Sequence, residues 1–382
     1  MDFELTDEQR EIRALARRFA ADEIAPHAAA WDREHRFPKE VFARLGELGL
    51  MGVCVPEAHG GAGADFFSYV LVLEELSRAD AGAAVTVTVH TGAGTLPILE
   101  HGTPEQVDRW VPPLAQGHEI AAFALTEPEA GSDAGALRTR ARDGRITGAK
   151  QWISNGSYAH AFVVFARDED GPAAGRISAY LVRRGAEGFR PTREEEKMGL
   201  NSSSTADLAF EDTPGERLGE PGAGMRIALQ TLDGGRIGVA AQALGIAQAA
   251  LELATAYARE RRAFGGPIAR FGAIQQKLAD MQTEIEAARA LTWRAAALKE
   301  AGKPHTVEGA QAKLFASRVA RHWTGEAIQV LGGYGYVKEF PAERYYRDAK
   351  VTEIYEGTSE IQRLVIARAL LGDAVTSLRE PR

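Results

Sequence analysis

The sequence predicts a three-domain α+β chain, helical at both ends and β-rich in the middle. Three observations predict it. The length, 382 residues, is more than one ordinary core organises. Apolar residues recur at spacings of three and four in the first and last thirds. Short β-favouring runs, separated by polar or Gly/Asn turns, fill the space between. The expected boundaries are 1–119, 120–224 and 225–382.

The first helix is announced by "TDEQ", Thr6 to Gln9, which has capping-box spacing. "PKEVFARLGELGL" and "SYVLVLEELSRAD" continue the helical periodicity. The loop between them, "PEAHGGAGAD", is glycine-rich but lacks GxGxxG spacing, so it is no dinucleotide fingerprint. From Ile120 to Thr213 the runs "RITGAKQWIS", "AFVVFA", "ISAYLVRR" and "TADLAFE" read as strands of a small antiparallel barrel or sandwich. The Asn155-Gly156 pair marks a turn among them. From Met225 onward long, alanine-rich helices return. One runs through "ARERRAF", a second ends at Gly302 just before Pro304, and a third covers "TVEGAQAKLFASRVARHWTGEAIQVLGG". Small residues on long helices allow close packing, and a bundle follows.

The net charge of -8 argues against a uniform nucleic-acid-binding surface. One cysteine, Cys54, excludes an intrachain disulfide, fits a reducing compartment and reads as a small buried hydrophobe. The acidic N-terminus is neither a signal nor a transit peptide as written, and no run of 18 apolar residues predicts a membrane span. No metal is expected.

Four stretches carry candidate chemistry. In "VTEIYEGTSEIQRLVIARALLG", Ser359 and Gln362 have capping-box spacing, so a helix begins near Thr358. Ile361, Leu364, Val365 and Leu371 make its expected buried stripe. Glu356 stands just outside that start, and Gly357 leaves the next backbone open to close approach. Two readings are open for Glu356: dipole stabilisation of the helix, or a general base aimed into a cleft. In "AFALTEPEAGSDAGALRTRA", Thr126, Gly131 and Ser132 form a loop suited to a phosphate or ring edge. In "KQWISNG", strand alternation puts Trp152 and Ser154 on one face, an aromatic plate beside a hydroxyl; core packing is the alternative for Trp152. In "RERRAFGGPIARFGAIQ", Arg259, Arg261 and Arg262 are either a solvated helix end or a pyrophosphate clasp. The adjacent glycines of "QVLGGYGY" allow a ligand close to the backbone.

"LTEPEAGSD", "KQWISNG", "LDGGRIGVAAQALGIAQ", "RRAFGGPI", "QVLGGYGY" and "RDAKVTEIYEGTSEIQR" occur in the order and spacing of the acyl-CoA dehydrogenase family, which the chain resembles over essentially its whole length. "LTWRAA" and "AERYYRDAKVTEIYEGTSEIQRLVIA" bring it nearest the short-chain, butyryl-CoA type. The resemblance implies an N-terminal helical domain, a middle antiparallel β-barrel and a C-terminal four-helix bundle, in a homotetramer. It implies FAD between barrel and bundle. Thr126 and Ser132 then line the flavin and pyrophosphate, Trp152 packs on the isoalloxazine, and Ser154 sits near N5. Phe123, Leu125, Gly131 and Ile153 join the same contacts. Arg261, Phe264 and the loop with Gln329, Gly332 and Gly333 reach the FAD of a neighbouring subunit, and Thr358 and Glu360 fall at further FAD positions. Ser132, Asp233, Arg236, Tyr355, Gly357 and Arg368 match substrate or CoA positions. Glu356 matches the base that takes the α-proton while the β-hydride passes to flavin N5.

Some branches of the family carry their base one residue before the bundle arginine; here that residue is Gly235, leaving Glu356 without a rival. Gly272 replaces a frequent glutamine, Asn201 replaces a frequent arginine, and "EDTPGERLGE" is shortened, so a FAD contact and a loop near the CoA entrance are expected to differ. Between Val85 and Leu96 there is no Lys or Arg, against a dicarboxyl-CoA substrate. His90 in that stretch is either a pocket polar group or a hydrogen-bonded structural histidine. The expected activity is dehydrogenation of a short-chain or branched short-chain acyl-CoA to the trans-2-enoyl-CoA. Electrons would leave to an electron-transferring flavoprotein, in the cytoplasm or, in a eukaryote, the mitochondrial matrix. An acyl-CoA oxidase, a flavin monooxygenase and a non-catalytic acyl-CoA-binding scaffold are the competing readings.

Overall fold

The structure, a computed structural model, describes residues 4–372. Thr6 caps the first helix as its spacing predicts: its hydroxyl accepts the Gln9 N–H while the Gln9 side chain accepts the Thr6 N–H. The N-terminal helices are α1 (Asp7–Phe19), α2 (Ala25–Glu34), α3 (Lys39–Glu47), α4 (Phe66–Ala79), α5 (Ala81–Val87), α6 (Leu96–His101) and α7 (Pro104–Ala115). Between α5 and α6 the chain widens into a π-helical stretch, Thr88–Thr95. Such widening shifts side chains off the α register and recurs at functional sites.

The middle strands are β1 (Ala121–Ala124), β2 (Arg140–Arg142), β3 (Arg145–Ser154), β4 (Ala161–Asp168), β5 (Ile177–Arg183), β6 (Phe189–Glu194), β7 (Thr205–Pro214) and β8 (Glu216–Leu218). They form one sheet in the order β6-β7-β3-β2-β4-β5-β8, with β1 also paired to β4. The antiparallel expectation needs one correction: β1 and β2 each run parallel to β4, making the sheet mixed. Neither strand is followed directly by β4: β3 intervenes in the sequence, so the chain can reverse twice before pairing with β4 in parallel.

Three long helices follow, α8 (Gly224–Glu260), α9 (Gly272–Glu300) and α10 (Thr306–Leu331), then the short α11 (Gly333–Tyr336), α12 (Ala342–Val351) and α13 (Ser359–Leu371). α8 runs through the middle of the molecule. Its alanines and glycines from Gly235 to Ala250 let α4 and α10 approach closely, and nearly all of them are buried. Among the described residues α8 is the one helix long and apolar enough to cross a membrane, yet 83% of its apolar window is buried within the protein. It is a core helix.

The predicted stripe of α13 is a second correction. Leu364 and Leu371 are exposed, Ile361 and Val365 are only part-covered, and the buried residue of this helix is Gln362. The capping residue is Thr358, which accepts the Ile361 N–H, rather than Ser359. Gln362 is released from capping and turns back toward the chain before the helix.

Candidate active site

Thr358 stops the chain from entering α13 early, and the two residues before it take left-handed conformations: Glu356 at φ 51° and Gly357 at φ 85°. For glycine this conformation is free, whereas for glutamate it costs about 1–2 kcal/mol. The turn is held from both flanks. Gln362 Nε2 donates to the carbonyls of Glu356 (3.2 Å) and Gly357 (2.8 Å), and Lys313 Nζ, from α10, donates to the Gly357 carbonyl at 2.6 Å. The Tyr355 hydroxyl donates to Gln242 on α8, whose amide in turn donates to the Ala81 carbonyl at 2.8 Å.

So braced, the Glu356 side chain points toward α8 at Gly235. A Cβ at position 235 would lie 2.5 Å from Glu356 Oε2, so a glycine there is what makes room for the carboxylate. Oε2 is buried and takes no hydrogen bond from the described residues. Burial pushes the carboxyl up to about 7, against the pull of Arg236 and Lys313. Arg236 is itself buried and held by Asp233 Oδ1 at 2.5 Å, while Asp233 Oδ2 accepts from Thr306 at 2.6 Å.

Glu356 stands on the wall shared by two lobes of one cleft. One lobe, about 230 Å³, is lined by Val85, Thr88 and Val89 and by Leu229, Leu232, Arg236 and Val239 of α8. The other, about 580 Å³, opens toward the loop Glu195–Leu200 and toward Arg347, Lys350 and Ile354. Thr126, Gly131, Ser132, Trp152, Ser154, Tyr355 and Gly357 line both. Phe123, Leu125 and Ile153 line the smaller lobe, and Thr358 the larger.

Trp152 and Ser154 do face the same cleft, but simple alternation is not the reason. Opposite β7, Lys150 pairs with Leu208 and Ile153 with Ala206, so three steps on β3 match two on β7. This bulge sits at Trp152, whose φ is 58° and whose N–H reaches Asp207 Oδ1 at 3.2 Å. It sends Lys150 and Ile153 both inward and leaves the indole 57% exposed over the cleft, which removes the core-packing reading. Lys150 is wholly buried and donates to the Leu125 carbonyl (3.0 Å) and Glu127 Oε1 (2.8 Å). Glu127 also accepts the N–H groups of Arg138 (2.6 Å) and Thr139 (2.9 Å). The two ends of the 126–138 loop are thereby tied to one carboxylate.

Other candidates fall elsewhere. Arg261, Gly332 and Gly333 line a separate groove of about 650 Å³ with Tyr257 and Tyr334. Phe264 projects beyond it, 89% exposed, and Gln329 is also exposed. Glu360 is exposed and pairs with Arg363 at 3.4 Å, and Arg368 is exposed on α13; neither lines the cleft. Asp233 reaches the cleft only through Arg236. His90 takes the structural reading: Nδ1 accepts the Ala121 N–H (3.1 Å), Nε2 donates to the Leu114 carbonyl (3.2 Å), and burial lowers it to about 4. Cys54 is part-buried against the core, and desolvation pushes its thiol up to about 12. Asn201 turns from the cleft to Asp32 Oδ1 at 2.9 Å, and Gly272 starts α9 with open space at its Cα. In the shortened stretch, Glu216 turns to Gln106 of α7 at 2.9 Å. Lys313, Lys150 and Glu127 escaped sequence reasoning, and Gln362 enters it only as a capping partner. The one signal for them was a charged or amide residue at a core position of its helix or strand.

Models of the acyl-CoA dehydrogenase N-terminal, middle and C-terminal domains match residues 6–118, 122–213 and 222–371. The chain belongs to the acyl-CoA dehydrogenase family. It is similar to the mitochondrial short-chain specific acyl-CoA dehydrogenase of Bos taurus, 52% identical over 375 residues, covering 96% of this chain and 91% of that one. Among solved structures it resembles butyryl-CoA dehydrogenase from Megasphaera elsdenii, with TM-score 0.94, 44% identity and coverage of 97% and 100%. A chain from the structure titled electron transferring flavoprotein of Acidaminococcus fermentans gives TM-score 0.95, 46% identity and coverage of 98% and 100%. As a member of this family the protein is an oxidoreductase with FAD as cofactor. The cleft fits that group: an exposed indole faces a roomy lobe lined by Thr126, Gly131 and Ser132, and Glu356 stands on its wall.

Proposed function

We propose that this acyl-CoA dehydrogenase oxidises a short-chain acyl-CoA to its trans-2-enoyl-CoA, with Glu356 as the base. The observation that carries the reading is the position of Glu356, on the wall shared by two lobes, with Oε2 buried and unpartnered. In this reading the acyl thioester occupies the smaller lobe and Thr126, Ser132, Trp152, Ser154 and Thr358 hold FAD in the larger one. Bound FAD supplies the two-electron acceptor for the oxidation. Glu356 removes the α-proton onto its carboxylate, and its backbone N–H polarises the thioester carbonyl as enolate-like charge develops. A carboxyl near 7 is matched to that task, since a base is most effective when its pKa lies near the working pH. Arg236 keeps enough positive charge nearby for the carboxylate to form.

The small volume of this lobe, about 230 Å³, and its lining by Val85, Val89, Leu229, Leu232 and Val239 favour a short acyl group, straight or branched. Electron transfer to an electron-transferring flavoprotein belongs to the same reading, supported by the exposed Trp152 at the cleft mouth. A homotetramer is supported by apolar residues left bare in the C-terminal part of the chain, Phe264 between α8 and α9 and Leu370 and Leu371 on α13, and would bring a neighbour's Arg261–Gly333 groove to the FAD. The boundaries at 119/120 and 224/225 are proposed with it, since α7 ends at Ala115 and α8 begins at Gly224.

The test is anaerobic bleaching of the flavin by C4 to C8 straight and branched acyl-CoAs. Wild type should bleach fastest at C4 or C5. Glu356→Gln should retain FAD and acyl-CoA yet bleach about 10²–10⁴-fold more slowly. Near-normal bleaching would place the base elsewhere, and rapid reoxidation of the reduced flavin by air would favour an oxidase.

A further inference from the structure

We propose that Lys313 is a positioning residue for the Glu356 base, pinning the Gly357 carbonyl and setting a positive charge beside the carboxylate from within the bundle. The inference rests on Glu356 being that base. Lys313 lies on α10 and is fully buried, a position where lysine is rarely found without a partner that needs it. Among the described residues its ammonium makes no contact-range ion pair; its hydrogen bond goes to a neutral carbonyl, Gly357 O, at 2.6 Å. A neutral side chain would fill this core site without the cost of burying a charge. The carbonyl it holds is the one that follows the left-handed Glu356–Gly357 turn.

The charges that face this spot come from several elements. α8 contributes Arg236, the loop contributes Glu356, and the ends of α12 and α13 contribute Glu353 and Glu360. Tyr69 of α4 and Tyr355 are phenols that burial keeps neutral. Of the carboxylates, Glu356 acts most strongly on Lys313, and Lys313 in turn favours the ionised form of Glu356. Burial lowers Lys313 to about 8, so its charge is largely present at neutral pH and fades above it.

Gln362 provides the control, because it anchors the same carbonyl at 2.8 Å and carries no charge. The experiment follows anaerobic flavin bleaching by butyryl-CoA from pH 5.5 to 9.5 in the FAD-loaded wild type, Lys313→Met, Lys313→Arg, Gln362→Leu and Glu356→Gln. Lys313→Met should move the acid limb upward by about one pH unit, giving a roughly tenfold deficit below that limb that narrows at alkaline pH. Lys313→Arg should hold the limb in place. Gln362→Leu should slow bleaching evenly, without moving it. An unmoved limb in Lys313→Met, or an equal and even loss in Lys313→Met and Gln362→Leu, overturns the inference. If Lys313→Met does not retain FAD, Lys313→Gln carries the same measurement with the same two outcomes. Near-normal bleaching by Glu356→Gln would instead sink the base assignment, and the two failures are distinguishable.

Discussion

At the scale of single residues, Glu356 is held where a carboxylate is least comfortable. Burial lifts it to about 7, well above the roughly 4.3 of a free glutamate. Linkage gives the sign. Below about pH 4 the carboxyl is protonated both folded and unfolded, and it costs nothing. Between those values the unfolded chain ionises first, so stability falls as pH rises, by about 1.4 kcal/mol per unit. Above about 7 the full penalty, on the order of 4 kcal/mol, is in place. Glu356→Gln should therefore raise the thermal midpoint of the substrate-free holoenzyme at pH 8 and leave it nearly unchanged at pH 4.5. A midpoint that responds equally at both values would show that burial is not straining this group. Gly235 belongs to the same account, since Gly235→Ala would press a methyl against Oε2.

At the scale of elements, the β3 bulge and the 126–138 loop act together. The bulge turns Lys150 inward and Trp152 outward, and Lys150 then meets Glu127 inside the sheet. Burial would raise the Glu127 carboxyl, but Lys150 and the loop N–H groups hold it low, while burial brings Lys150 down to about 8. Removing one partner strands the other. Lys150→Met should cost about 3–5 kcal/mol and release FAD, read as lost bound flavin absorbance and a lower denaturation midpoint. Adding Glu127→Gln should recover part of that loss, because the stranded charge is gone. Full additivity of the two changes would mean that the pair does not tie the loop.

At the scale of the whole molecule, Arg347 on α12 links all three parts of the chain. It grips Asp32 of α2 with both terminal nitrogens (3.0 and 2.6 Å), Glu343 on its own helix (2.6 Å), and the Met198 carbonyl of the β6–β7 loop (3.1 Å). Asn201 completes the shell of Asp32, its amide donating to Oδ1 at 2.9 Å. Because the Glu195–Leu200 segment of that loop lines the larger lobe, the clamp also shapes the cleft. Arg347→Met should destabilise the protein by about 3–5 kcal/mol in denaturant and weaken FAD retention. A loss below about 1 kcal/mol would class it with surface ion pairs.

What was legible in the sequence was whatever depends on neighbours along the chain. The Thr6 capping box, the strand at "RITGAKQWIS" and the long alanine-rich helices are local signals, and each lies where periodicity put it. So was the glutamate–glycine pair before α13, because residue type and helix start are both local. Tertiary structure alone decided the rest. The bulge at Trp152 is set by pairing with β7. The bare stripe of α13 reflects which face the rest of the chain covers. Lys313 stands 43 residues before Glu356 in sequence, and only the packing of α10 against the turn brings it 2.6 Å from the next carbonyl. Periodicity reports which side of an element is apolar. It carries no information about which distant element meets that side, and electrostatics between buried groups is decided by that meeting.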